Sequence, residues 1–229
     1  MYVDPGLVPM QRVFGCGSVR SEEGRWIEPG PRAVHGLWRS AEPRDVTRTP
    51  RAGNRLNLLL DAAAARFASE GFKSASVRDI VRTVGMLPGS LYYHFATKDA
   101  LLVAVYAEGV RRIEGAVRDA IAGKSDPWGR VEAACIAHLE ALLDQSAYAK
   151  LVVSVNPLDA PAVMPALIKL RDGYERIFID LLAALTLPRR CDQHVLRMVL
   201  LGALNWTPTW YRKGEKRPHD IARAYVCTC

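Results

Sequence analysis

The stretch from Ser76 to Lys98 constrains this chain more than any other. Ser76 suits a helix N-cap, and Val77, Ile80, Val81 and Val84 follow at helical spacing, which predicts a short helix with one apolar face. Gly85, just past the last of them, can take the left-handed backbone that ends a helix in a tight turn. Pro88 suits a first helical position, where its missing N–H would have no partner anyway, so a second short helix is predicted from Pro88 to about Phe95. The segment reads as a helix-turn-helix.

In the second helix Leu91 and Phe95 lie four apart and face the core, leaving Ser90, Tyr92, Tyr93 and His94 directed outward. Polar-tipped aromatic rings beside small residues, with no acidic side chain, suit close approach to a phosphate backbone and base edges. The other reading is that the tyrosines pack against a neighbouring helix. The flanking residues decide between them.

From Leu58 to Val105 the chain carries Asp61-Ala62-Ala63-Ala64, Phe67-Ala68, Gly71-Phe72, Ser76-Val77-Arg78-Asp79-Ile80, Gly89-Ser90-Leu91-Tyr92-Tyr93-His94-Phe95 and Lys98-Asp99-Ala100-Leu101-Leu102. These segments closely resemble the DNA-binding domain of TetR-family transcriptional regulators. The resemblance implies an all-α protein, with an N-terminal three-helix DNA-binding domain and a C-terminal helical domain for ligand sensing and dimerisation. It also implies three partners: a double-stranded DNA operator, a second copy of the chain and a small-molecule effector.

By that resemblance Tyr93, His94 and Lys98 contact phosphates, Ser76 adds a contact at the start of the preceding helix, and Pro88, Gly89, Ser90 and Tyr92 approach base edges. Leu87 departs from the family pattern, which often has Ser or Thr there as an N-cap. The helix also lacks Arg, Asn or Gln for bidentate base readout, so specificity is expected to rest partly on DNA shape.

Net charge of +7 suits a polyanionic partner, although a basic protein without one would show the same balance. Cys16, Cys135, Cys191, Cys227 and Cys229 are odd in number and form no Cys-x-x-Cys pair, so neither a disulfide framework nor a zinc site is suggested. No run of about eighteen apolar residues and no signal-type N-terminus is present, so the chain is expected to be cytoplasmic and away from membranes.

Three regions follow: 1–52, 53–99 and 100–229. The first is rich in Gly, Pro and Arg and without sustained period, predicting a disordered extension. Arg48, Arg51 and Arg55 fit either a minor-groove arm or a solvated tail. The first helix is expected from about Asn54 to Gly71, with Leu56, Leu59, Leu60, Ala63 and Phe67 as its stripe. Thr97 looks like the N-cap of a connecting helix that runs to about Ala122.

Beyond Pro127 every period is helical. Val131, Ala134, Cys135, His138 and Leu142 form one stripe; Leu167, Leu170, Tyr174, Ile177, Phe178, Leu181 and Leu185 form a longer one, able to line a cavity. Residues 150–166, with Pro157, Pro161 and Pro165, read as a loop or broken helix. From His194 to Trp206 both faces are apolar, as for a helix packed between its own domain and a second subunit, and Pro208 is expected to end or kink it.

Leu201-Gly202-Ala203-Leu204-Asn205-Trp206 with Trp210-Tyr211 is similar to family members that respond to acyl-CoA thioesters. That likeness gives an acyl-CoA or a related lipid or aromatic catabolite as effector class, with His138, Tyr174, Phe178 and Trp206 as candidate ligand contacts. His138 lies on the apolar face, where a satisfied core histidine is the favoured reading over a ligand contact. No phosphate loop, metal-spaced cluster or Gly-x-Ser-x-Gly elbow occurs in this half, so no catalytic residue, metal or cofactor is expected. Two alternatives stand beside the ligand-released repressor: a C-terminal half that only dimerises, and an acyl-thioester enzyme with His138 as base.

Overall fold

The computed structural model of the chain describes residues 19–20, 26–27, 50–155 and 159–228. Apart from a two-residue antiparallel ladder, β1 (Val19–Arg20) with β2 (Trp26–Ile27), the described residues form an all-helical architecture. The expectation for residues 1–49 otherwise lies outside the described residues.

Residues 51–229 form one compact unit. Its helices are α1 (Pro50–Glu70), α2 (Val77–Thr83), α3 (Pro88–His94), α4 (Lys98–Ile121), α5 (Pro127–Leu143), α6 (Ala147–Ser154), α7 (Met164–Ala183), α8 (Gln193–Trp210) and α9 (Pro218–Thr228). Helix α1 starts four residues before the predicted Asn54, because Pro50 sits at the first helical position that its ring favours.

Three helices and the start of α4 enclose one core: Leu59, Ala63, Phe67, Ile80, Val81, Leu91, Leu101, Leu102 and Val105 are fully or almost fully buried. Burying each large side chain contributes about 1.5–3 kcal/mol, enough together to hold a seven-residue helix such as α3 in place. Phe67 and Phe72 meet edge to face at 5.4 Å, closing the α1 end of this cluster. Tyr148, Leu151 and Ala160 join it from the C-terminal half.

The second core runs along α4, α5, α7, α8 and α9 through Ile113, Val117, Cys135, Leu139, Phe178, Leu200 and Leu204. The described part of 150–166 is a broken helix: α6 stops at Ser154 and a short 3-10 turn, Pro161–Val163, leads into α7, while 156–158 lie outside the described residues. Pro208 does not itself end α8, as one of the two expected outcomes had it, since the helix continues through it to Trp210. The proline stands in the last turn, where only one helical bond is lost, and the Thr207 hydroxyl holds the Ala203 carbonyl at 2.8 Å beside it.

Candidate nucleic-acid interface

The turn between α2 and α3 is built by backbone hydrogen bonds. Gly85 adopts φ +64°, the Gly85 N–H donates to the Arg82 carbonyl at 3.1 Å, and the Met86 N–H donates to the Val81 carbonyl at 2.9 Å. This pair of bonds around a left-handed glycine is the Schellman arrangement, and it satisfies carbonyls that the end of α2 leaves open. The glycine signal in the sequence thus corresponds to a defined geometry.

Helix α3 then divides its side chains sharply. Leu91 is fully buried, while Tyr92 and Tyr93 are 58% and 74% exposed. His94 is exposed and contacts the Tyr93 ring edge to face at 5.2 Å; Gly89 is exposed and Ser90 half-buried. No clash meets a Cβ built at Gly89, so its surface is open to an approaching backbone. Pro88 occupies the first helical position, after Leu87 at the N-cap position, which offers no capping side chain. The Leu87 N-cap departure therefore leaves the α3 N–H groups uncapped by side chains.

Ser76 holds the N-cap position of α2 in an extended conformation without a capping bond from its side chain. It lines a surface cleft of about 550 Å³ with Arg78, Arg82 and Leu87. Arg78 is exposed there and was not among the sequence candidates; an arginine on the outer face of a short helix carries no distinguishing spacing of its own.

Lys98 is placed differently from a free phosphate contact. Its Nζ donates to the Lys73 carbonyl at 3.1 Å and lies 4.6 Å from the centre of the Phe72 ring, and burial lowers its pKa. Neighbouring Thr97 caps α4 as expected, accepting the Ala100 N–H at 3.0 Å.

In the second core His138, Tyr174 and Phe178 come together, whereas Trp206 stands 43% exposed on α8. His138 Nε2 lies 3.1 Å from Asn205 Oδ1 and Nδ1 lies 2.6 Å from the Tyr174 hydroxyl. A carbonyl oxygen only accepts, so Nε2 carries the proton and Nδ1 accepts from Tyr174: a neutral tautomer with both nitrogens paired. Burial drives its pKa down to about 4 and pushes that of Tyr174 up. Among the described residues no group of His, Cys, Asp and Glu could hold a metal ion, and no helix is long and apolar enough to cross a membrane.

A polar network joins the two halves. The Tyr148 hydroxyl donates to Asp61 Oδ1 at 2.9 Å, and the Arg112 guanidinium lies 3.9 Å from the Tyr148 ring centre and 3.4 Å from the same carboxylate. Glu108, bonded by Arg111 and then Arg112, is held down to about 2. Sequence reading missed this network because its members lie 51 and 87 positions apart.

Comparison with known proteins agrees with this geometry. Residues 59–105 match the family model described as bacterial regulatory proteins, tetR family, and residues 124–229 match the Tetracyclin repressor-like, C-terminal domain. The HTH-type transcriptional repressor KstR2 of Rhodococcus jostii (strain RHA1) is 31% identical over 190 residues, covering 80% of this chain and 92% of that protein. Among solved structures, the fatty acid degradation regulator FadR from Bacillus halodurans shares the fold with TM-score 0.65 at 16% identity, over 75% of this chain and 96% of the other. AibR, in complex with isovaleryl coenzyme A and operator DNA, does so with TM-score 0.63 at 20% identity, over 76% and 97%. The relatives are regulators rather than enzymes, which removes His138 as a catalytic base. The chain belongs to the TetR family of DNA-binding transcriptional repressors.

Proposed function

We propose that this repressor acts as a homodimer on a near-palindromic operator and is released from it by a small-molecule effector of the acyl-CoA thioester class. The observation that carries the DNA contact is the division of α3: a fully buried Leu91 anchors the helix while Tyr92 and Tyr93 stand exposed beside Gly89 and Ser90. Ser76, Tyr93 and His94 take phosphates, Pro88, Gly89, Ser90 and Tyr92 approach base edges, and Lys98 reaches a phosphate only by leaving the Lys73 carbonyl.

The dimer reading is supported by α8. Its inner face buries Leu196, Leu200 and Leu204, while Val195, Val199, Trp206 and Trp210 form an exposed apolar stripe on the other side. A second copy covering that stripe would set the spacing of two α3 helices at about one DNA turn, ~34 Å. For the effector, the candidates are His138, Tyr174 and Phe178, which contact one another in the second core, and the exposed Trp206 on α8. The AibR complex contains isovaleryl coenzyme A, which supports the thioester class. An effector that binds one conformer better weakens DNA binding, and DNA weakens effector binding by the same factor, typically 1–3 kcal/mol.

One observation favours a second reading, in which the C-terminal half only dimerises: both nitrogens of His138 already have partners within a packed core. Fluorescence anisotropy on DNA from upstream of the gene separates the two. Six to ten phosphate contacts predict a loss of roughly 10³–10⁵ in affinity between about 50 and 200 mM salt. Tyr93→Ala should weaken binding without changing oligomeric state, and release by one acyl-CoA would establish the sensing role. Salt-insensitive binding, or binding unchanged by Tyr93→Ala, refutes the assigned interface; release by no thioester favours the second reading.

A further inference from the structure

We propose that the cleft lined by Arg118, Arg130 and Arg176 is a binding site for a phosphate-type anion. It lies where the end of α4, the first turns of α5 and the middle of α7 converge, and its volume is about 260 Å³. That is slightly below the 300–1,000 Å³ typical of sites for whole drug-sized ligands, so it suits a phosphate or diphosphate group better than an entire organic molecule.

The Nε of Arg130 is shut off from solvent and has no hydrogen-bond partner among the described residues. A donor left unpaired at burial is costly; because this nitrogen is closed to solvent, an anion in the cleft would engage the terminal nitrogens of the same guanidinium. Arg130 also stands in the first turns of α5, the positive end of the helix dipole, where a cation is disfavoured and an anion favoured. The nearby N-cap carboxylate of Asp126 is engaged with the Gly129 N–H.

Local charge points the same way. Arg118 is paired with Glu114 at 2.7 Å, whereas no carboxylate pairs with Arg130 or Arg176 among the described residues. Asp180 also lines the cleft and is the competing partner within the chain. Even with both carboxylates counted against the three arginines, the cleft remains positive. Gly173 lines it too, and a Cβ there would meet nothing within 4 Å. A glycine inside a helix is destabilising by roughly 0.5–1 kcal/mol relative to Ala, and no contact within the chain requires this one. The open space it leaves faces the arginines' cleft.

Operator DNA is not the source of the anion. Arg118 is twenty residues along α4 from Lys98, about 30 Å at 1.5 Å per residue. Inorganic phosphates and phosphorylated small molecules share the required chemistry.

Isothermal titration of the full chain at constant ionic strength tests the site with inorganic pyrophosphate and with free coenzyme A, against pantetheine as the phosphate-free control. Arg130→Gln and Arg176→Gln should each weaken binding about tenfold or more while leaving operator affinity unchanged. Gly173→Ala should weaken it too, yet raise or preserve the melting temperature, an outcome that misfolding cannot produce. Binding of both phosphates supports an organic phosphate ligand, and binding of pyrophosphate alone supports an inorganic one. No binding, binding of pantetheine, or binding unaffected by Arg130→Gln overturns the proposal, the last by showing an adventitious ion only. None of these outcomes depends on whether a thioester releases DNA.

Discussion

Acidification should unfold this protein through His138. In the folded chain its pKa is driven by burial down to about 4, from a value near 6.5 when exposed. The unfolded chain therefore binds more protons between these values, and stability rises with pH wherever that holds. The contribution is complete above about pH 6.5 and disappears as pH falls toward 4. At 1.36 kcal/mol per unit the full difference is about 3 kcal/mol, of which roughly 2 should be lost between pH 7 and 4.5. Glu175 works in the opposite sense over the upper part of this window, because burial raises its pKa. Glu108, held down from 4.5 to about 2, adds its own loss from about pH 5 downward, the larger part of it below this window. Urea unfolding of wild type and His138→Gln at matched pH isolates the histidine by difference. The variant should start less stable near neutrality and lose roughly 2 kcal/mol less on acidification. An identical pH slope in the two proteins would refute the assignment of a buried neutral imidazole.

Gly85→Ala places a side chain at φ +64° and should destabilise the helix-turn-helix by about 1–2 kcal/mol, read as a lower urea midpoint with weaker operator binding; an unchanged midpoint would mean the turn relaxes freely. On the proposed dimer, Val199→Glu puts charge on the exposed α8 stripe and should sediment as a monomer where wild type sediments as a dimer, while the protomer keeps its helical circular dichroism. Persistence of the dimer would move the interface elsewhere. Tyr148→Phe deletes the hydroxyl bonded to the half-exposed Asp61 carboxylate and should cost about 0.5–1.5 kcal/mol on thermal unfolding. No change would show that water replaces it.

The recognisable parts of the fold are those fixed by neighbours in sequence. Ser76, Gly85, Pro88 and Thr97 each mark a helix boundary that a local rule explains: α2, α3 and α4 begin at or one residue after Ser76, Pro88 and Thr97, and α2 ends two residues before Gly85. Local rules failed where a competing local term won. Pro208 is tolerated because α8 ends two residues later, and α1 reaches back to Pro50 because that residue can open a helix. The candidate interface was legible for the same reason: Leu91 against Tyr92 and Tyr93 is a periodicity statement. Lys98 was not, since its attachment to Lys73 depends on how α4 packs over the α1–α2 connection. Nor was the pairing of His138 with Tyr174 and Asn205, 36 and 67 positions away, or the gathering of Arg118, Arg130 and Arg176.

Those long-range contacts also explain how a change in the C-terminal half can be felt at α3. Helix α4 contributes Leu101, Leu102 and Val105 to the DNA-binding core and Val110, Ile113 and Val117 to the other, so neither core can shift along it without loading the other. Packed interiors resist such shifts because losing close contact forfeits dispersion energy at once. Helices α4 and α6 are in tight contact at Gly109, where an added Cβ would meet the Val152 methyl at 2.8 Å and the Tyr148 carbonyl at 3.4 Å. One turn further, Arg112 stacks on the Tyr148 ring and reaches Asp61 on α1. Helix α6 thus bears on both α4 and α1 through a tight steric contact and a partly buried polar one. A displacement of α6 has two routes into the body that carries α3, and neither runs through the exposed loop between α2 and α3. Removing Tyr148 or crowding Gly109 should therefore alter the link between the two halves while leaving the recognition surface itself intact.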